Sequence, residues 1–417
     1  MALFREISCF AFLVLGFIFE AAGEDHPCDG IIGDTNNWIR SARRTNVVVI
    51  GGGAAGLTAA KTLIQNQAGD VLLLEAQDYL GGRVKTIREG PLLVEEGAGW
   101  ISGGSANPLF NLAKRLGGMN SPVRKESYDW RAKTSNGRNA DPSGFDVAAS
   151  LMEECDVDPA LVPYHSTGYG RCFLDKFPVR YFAAPSEKEA WLHYLHMWVN
   201  KEAGTNDWMD KSARDADHFT EWDMADLRPW RRGFDTFIQY LRQEIPASQI
   251  KTSSPVCKVF WDLDDAEGSV LLVTSAREAY LADYVVITTS VGHLKERHRS
   301  MFEPALPSEY LDTLNGVELG VTDKILIGWN EPWWGKRPLD LHIIFQDFNL
   351  PSEESWLYSI MEFVSTQRHD NVLQAVVTGE SAKLMENLPE EEVKNQVVRH
   401  LKRVTGQNVP PPSFFRR

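Results

Sequence analysis

The sequence predicts an α/β fold spread over about two domains, and three observations carry that expectation. Val47 to Ile50 is an unbroken β-branched run, the pattern of a strand buried on both faces. Ala54 to Gln65, rich in Ala and Leu, suits a helix, and Val71–Leu74 repeats the buried-strand pattern. Between the first strand and the helix, Gly51, Gly53 and Gly56 spell G-x-G-x-x-G, the turn of a Rossmann-like dinucleotide-binding unit. The 417 residues are too many for one hydrophobic core.

Each element has a physical reason. Gly51 permits the tight turn, Gly53 lets backbone approach a pyrophosphate, and Gly56 lets helix and strand pack closely. The pyrophosphate then lies on the helix N-terminus, where N–H groups point outward. Glu75, 19 residues after Gly56, ends the second strand and can accept hydrogen bonds from an adenosine ribose. An ordinary glycine turn accounts for the triplet alone, but not for triplet, context and acidic residue together. The triplet does not separate NAD from FAD. Gly81-Gly82-Arg83 adds an arginine just after the second strand, able to reach back to the pyrophosphate as a charged donor.

Residues 1–23 read as a secretory signal peptide, with Arg5, an apolar run from Cys9 to Phe19, and Ala21-Ala22-Gly23 for cleavage. The run is short of the roughly 18 residues a membrane span needs, and no other stretch is long and apolar enough. The expected location is the secretory lumen or the cell exterior. Polar residues 24–45 read as a linker. The net charge of −14 argues against nucleic-acid binding and suits cationic small molecules, or simply a solvated surface. Cys28, Cys155, Cys172 and Cys257 follow the leader without any CxxC pair. An oxidising compartment would suit a Cys155–Cys172 disulfide, although four cysteines allow three pairings, or none.

Further along, residues 121–170 show little apolar periodicity, and Leu192–Val199 reads as a packed helix. Phe234–Leu241 is amphipathic; Val256–Trp261, Val270–Thr274, Tyr284–Thr288, Lys324–Trp329 and Leu373–Thr378 read as strands. The last helix has Pro389 in its first turn, Glu390 to Glu392 at its positive end, basic residues at the other, and Gly406 as its stop. His193 and His196 share a helix face without carboxylates or cysteines in the pattern, which favours packing over a metal, and none is expected. The tryptophans, Trp333-Trp334 among them, suit core packing or an apolar tunnel. No G-x-S-x-G elbow supports a serine hydrolase.

Four motifs in order carry a resemblance: "LLLEAQDYLGGRVKT", "VEEGAGWISG" at Val94–Gly103, "ADYVVITTSVGHLK" at Ala282–Lys295, and "LGVTDKILIGWNEPWWG" at Leu319–Gly335. From about Asn46 onward the chain resembles the flavin-containing amine oxidases, the last two motifs their polyamine oxidase branch in particular. Residues 121–225 are least diagnostic. The resemblance implies a Rossmann-like FAD-binding domain from discontinuous segments, 46–120 and 228–300. It also implies an α+β substrate domain with a mixed sheet, 121–227 and 301–406. It implies that Gly51, Gly53, Ala55, Gly56, Glu75 and Arg83 hold the ADP half of FAD. Gly97, Ala98, Gly99 and Trp100 would run beside the flavin, and Val256 would touch the adenine region through its backbone. Lys324 matches the lysine that holds a water against flavin N5; read alone, it is an ordinary lysine at a strand start.

The implied chemistry is oxidation of an amine C–N bond by FAD and O2, giving an imine, then an aldehyde, and H2O2. Two departures stand out. Ser102 stands where, by the resemblance, polyamine oxidases often carry a histidine or glutamate that faces the amine; a hydroxyl supplies neither charge nor base. A further segment of roughly 90 residues, which in the family returns to the FAD domain, is expected and does not follow "PPPSFFRR". Two rival functions stay open: an oxidase of amino acids or monoamines, and a non-catalytic, C-terminally truncated flavoprotein relative acting as a binding protein. A histone demethylase is disfavoured by the secretory leader.

Overall fold

The computed structural model describes residues 27–31, 35–122, 127–155, 161–177, 184–214, 227–263 and 269–417. The expected leader, 1–23, lies outside the described residues. The chain divides into two compact units. One contains the described residues up to Lys85 and Phe234–Glu318; the other contains those of Thr86–Gly233 and Leu319–Arg417. These boundaries fall elsewhere than the expected functional segments. Residues 86–120, with Gly97–Trp100 and Ser102, belong to the second unit together with Lys324, and residues 301–318 belong to the first.

The first unit is built on a seven-stranded sheet. Its order is Phe302–Glu303, Val256–Phe260, Val270–Thr274, Ala279–Ile287, Arg43–Ile50, Val71–Leu74 and Ile250–Lys251. Arg43–Ile50 pairs in parallel with Val71–Leu74 on one side and Ala279–Ile287 on the other, which explains its unbroken apolar run. Helices Ala54–Gln65 and Asp235–Arg242 cover one face through Leu57, Ala60, Ile238 and Leu241.

The linker expectation for 24–45 is corrected here. Thr35–Ser41 is helical and Arg43 already begins the first strand. Cys28 is disulfide-bonded to Cys257, and Ile31, Trp38, Ile39 and Ala42 pack with Leu271, Val273 and Leu281. Polar composition hid a segment held by one covalent bond and a few apolar anchors.

The second unit carries a six-stranded sheet in the order Phe414–Arg416, Thr322–Gly328, Val372–Thr378, Glu362–Ser365, Leu339–Ile344 and Asp129–Thr134. It is mixed: Leu339–Ile344 runs parallel to Asp129–Thr134 and antiparallel to Glu362–Ser365. On one face lies helix Glu390–Thr405, which buries Val393, Val397, Leu401 and Val404 against Ile325, Leu341 and Phe363. Burying each such side chain stabilises by about 1.5–3 kcal/mol. Pro389 is the N-cap of this helix, one residue before the expected first turn, and Gly406 ends it at φ 67°. The other face packs against helices Ser143–Cys155, Gly170–Lys176 and Pro185–Ala203 through Phe145, Met152, Phe173, Trp191 and Tyr194.

That second face corrects the reading of 121–170 as patternless. Helix Ser143–Cys155 turns Phe145, Ala148, Ala149, Met152 and Cys155 inward at helical spacing. Its intervening Ser, Asp and Glu masked the stripe. Cys155 bonds Cys172, as the compartment argument anticipates. Asp129–Thr134, Leu339–Ile344, Glu362–Ser365 and Phe414–Arg416 are strands beyond those expected. No helix among the described residues is long and apolar enough to cross a membrane.

His400 is a cost inside this core. It is fully buried, stacks on Phe345 at 5.8 Å between centroids, and neither ring nitrogen has a hydrogen-bond partner among the described residues. Burial pushes its pKa down to about 3. The folded state takes up this proton less readily than the unfolded chain, so stability falls as pH drops from the ordinary value near 6.5 toward about 3. His400→Leu is therefore expected to raise Tm at neutral pH, by the equivalent of about 1–3 kcal/mol. It should also flatten the loss between pH 6 and pH 4, as read by calorimetry. An unchanged pH dependence would contradict this assignment.

Candidate active site

In the first unit the glycine turn is built for close approach. A Cβ on Gly56 would sit 1.8 Å from the Gly51 carbonyl oxygen, so only glycine lets helix and turn meet. Gly53 is different: a Cβ there meets no atom of the described residues within 4 Å. It is the N-cap of Ala54–Gln65, and no side chain caps that helix. The first-turn N–H groups, Ala55's among them, are the donors an anion would take.

The turn also positions Arg83. Gly81 N–H donates to the Gly52 carbonyl at 2.9 Å, and Gly81 bridges Gly53. This ties the Gly81-Gly82-Arg83 turn to the glycine loop. Arg83 is exposed, and its guanidinium has no partner among the described residues.

Glu75 is buried at the end of its strand. One carboxylate oxygen accepts from Gly52 N–H, the other from Gln77 N–H at 2.7 Å. A carboxylate offers about four acceptor sites, so two are left for ribose hydroxyls. The Glu75 and Gln77 carbonyls accept from Ser254 and Ser253 N–H at 2.8 and 2.7 Å. That brings the segment entering Val256 alongside Glu75. Glycine loop, uncapped helix, unpartnered guanidinium and buried acid fit the ADP half of FAD.

In the second unit the candidates meet around Lys324. The lysine lies mid-sheet, 5 % exposed, and its Nζ donates to the carbonyls of Glu95 at 3.0 Å and Gly97 at 2.7 Å. Burial lowers its pKa to about 8, while Glu95 and Glu96 pull the other way. Lys324 thus clasps the start of the Gly97-Ala98-Gly99-Trp100 segment. The other end is held where Ile101 and Arg228 exchange backbone hydrogen bonds at 2.8 and 2.9 Å. Ser102 follows; its carbonyl accepts from Asn107 Nδ2 at 2.8 Å, and its hydroxyl has no partner among the described residues.

Other candidates are engaged structurally. His193 contacts the Tyr358 carbonyl at 2.8 Å, and His196 pairs with Asp207 at 3.1 Å and stacks on Trp208. Trp329, Trp333 and Trp334 pack edge to face on one another. Asp340, His342 and Glu362 lie within 4.8 Å of one another, but protein groups serve them. Asp340 is 3.1 Å from His342 Nε2, Tyr194 OH is 2.9 Å from Nδ1, and Lys201 is 2.8 Å from Glu362. Burial opposes a charged imidazole there, yet Asp340 and Glu362 outweigh it and hold the His342 pKa above its ordinary value.

Sequence reasoning missed Thr288, whose Oγ1 lies under Gly51 and Gly56 and donates to the Ile50 carbonyl at 2.8 Å. It also missed Arg368 and His369, which meet the hairpin leading into Gly97. Their only signal is a polar turn between two apolar runs.

The Flavin containing amine oxidoreductase family matches residues 54–165 and 140–417. Protein anon-37Cs of Drosophila simulans is 25 % identical over 403 residues, covering 91 % of this chain and 79 % of the relative. Peroxisomal N(1)-acetyl-spermine/spermidine oxidase of Bos taurus is 25 % identical over 415 residues, covering 90 % and 81 %. Among solved structures, wild-type putrescine oxidase bound to putrescine aligns with TM-score 0.62 at 18 % identity, covering 90 % of this chain and 84 % of that one. With the family match spanning well over half the residues and the glycine cradle fitting its FAD, the chain belongs to the flavin-containing amine oxidoreductases.

Proposed function

We propose that this chain oxidises polyamine-class amines with O2, in the secretory lumen or outside the cell. The observation that carries the reading is the clasp of buried Lys324 on the Glu95 and Gly97 carbonyls, at the head of Gly97–Trp100. Bound FAD supplies acceptance of a hydride from the carbon next to a neutral amine and delivery of two electrons to O2, yielding imine and H2O2. The chain's own residues do the rest. Gly53, the helix N-terminus and Arg83 bind the pyrophosphate, and Glu75 and the Val256 backbone hold the adenosine. Lys324 fixes the backbone that runs beside the flavin. With a pKa of about 8, it can also hold or move a proton, or a water, at Nζ near neutral pH.

Three features support the substrate and place. A relative and a solved neighbour are named for spermine, spermidine and putrescine, all polyamines. The net charge of −14 favours encounter with cations. Two disulfides fit an oxidising compartment, as does the leader read in residues 1–23. Ser102 favours the second reading, an oxidase of monoamines or amino acids, because an uncharged hydroxyl gives a second ammonium no counter-charge.

The test is peroxide release from purified protein with spermine, spermidine, N-acetylated polyamines, putrescine, monoamines and amino acids. The expected order puts a polyamine first in kcat/KM. Faster turnover of a monoamine or an amino acid would replace the substrate class, and expression without secretion would overturn the location.

A further inference from the structure

The turn Thr366–Asn371 joins strands Glu362–Ser365 and Val372–Thr378, next to the strand that carries Lys324. Its backbone is closed by Thr366 N–H on the Val372 carbonyl at 2.8 Å and Val372 N–H on the His369 carbonyl at 3.0 Å. Two side chains of this turn engage the hairpin Thr86–Glu95. Arg368 Nη1 meets Glu95 Oε1 at 3.1 Å, and His369 Nε2 accepts from Leu93 N–H at 2.9 Å. Glu95's other oxygen accepts from Thr86 Oγ1 at 2.6 Å. Arg368 and Glu95 side chains are only 14 % and 12 % exposed, so the pair is well shielded from water.

Glu95 therefore does two things at once. Its carbonyl receives the Lys324 ammonium, and its carboxylate lies under Arg368. Charges bearing on Lys324 include Glu95, at the end of the hairpin, and Glu96, which follows it, with Arg368 meeting the Glu95 carboxylate. His369 is kept neutral by burial and by Arg368, as its acceptor role requires. Glu362 shares the lysine's sheet face but is paired with Lys201.

We propose that Arg368 is a positioning residue for Lys324. Acting through Glu95, it holds the Glu95–Gly97 turn that clasps the lysine and offsets the charge of the Glu95 carboxylate. This rests on reading Lys324 as the lysine of the flavin end.

The two partners of an ordinary structural ion pair give the same loss when either is removed. Here they give opposite signs. Arg368→Met removes the positive charge that meets the Glu95 carboxylate and moves the Lys324 ionisation upward, by about one pH unit. Glu95→Gln removes that charge and moves it downward, and the double variant returns close to wild type. Arg368→Lys keeps the charge and restores the wild-type position, even if Arg368→Met is poorly folded. The ionisation is read in two ways. One is the pH profile of anaerobic flavin reduction in the holoenzyme. The other is competitive acetylation of Lys324, followed by peptide mass spectrometry across pH in FAD-free protein. Opposite shifts support the proposal. Shifts of one sign, or none, in the acetylation curves overturn it. If Lys324→Met keeps the wild-type reduction profile, the flavin-end reading of Lys324 fails, and the acetylation curves still decide the Arg368 claim.

Discussion

Gly53→Val should give a folded protein that has lost its FAD. Gly53 has φ −74° and ψ −176°, extended backbone open to any residue, and a Cβ there meets no atom of the described residues within 4 Å. The new Cβ therefore enters open space at the uncapped end of the helix. FAD affinity should fall at least a hundredfold, or roughly 2.8 kcal/mol, as the pyrophosphate loses that approach. The contrast is Gly56→Val, whose Cβ would lie 1.8 Å from the Gly51 carbonyl oxygen and must break the turn itself. Flavin content after dialysis and far-UV circular dichroism separate the two. A Gly53→Val protein retaining stoichiometric FAD would remove the glycine loop from the cofactor site.

Lys324→Met should keep FAD and lose rate. Methionine replaces the chain of the lysine in the sheet, but the Glu95 and Gly97 carbonyls lose their donor. Loss of a positioned proton donor or acceptor typically slows a step by about 10²–10⁴-fold. We expect slower anaerobic reduction, slower reoxidation, or both, in stopped-flow traces. Wild type should show an inflection near pH 8, from a lysine lowered by burial, and the variant should lack it. Traces matching wild type in both half-reactions would reject a role for Lys324 at the flavin.

What could be read in advance divides by the range of the interaction. The glycine turn, Glu75 and the Gly81–Arg83 turn lie in or just after one strand–helix–strand unit, where spacing dictates geometry, and the structure joins Glu75 and the Gly81 backbone to the glycine turn. The Lys324 clasp joins positions 229 and 227 residues apart, and only the resemblance pointed to that lysine. Arg368 and His369 reach the hairpin over comparable separations, and nothing in a polar turn announces such a reach. Composition misled at 24–45 and 121–170 for one reason. Few apolar residues suffice when a disulfide or an aromatic core holds them, as Cys28–Cys257 and the packing of Phe145 on Trp191 do. The division into units was least visible, because Thr86–Glu95 follows the dinucleotide motif directly yet clusters with Lys324.

Of all measurements, one bears on the account most directly: the absorption spectrum of the purified protein, before and after anaerobic addition of spermine or spermidine. The account predicts the two bands of bound oxidised flavin at about one per chain, and their bleaching by the amine. Readmitted air should restore them, with release of H2O2. A protein that carries no flavin, or whose flavin no amine on the panel bleaches, would contradict it.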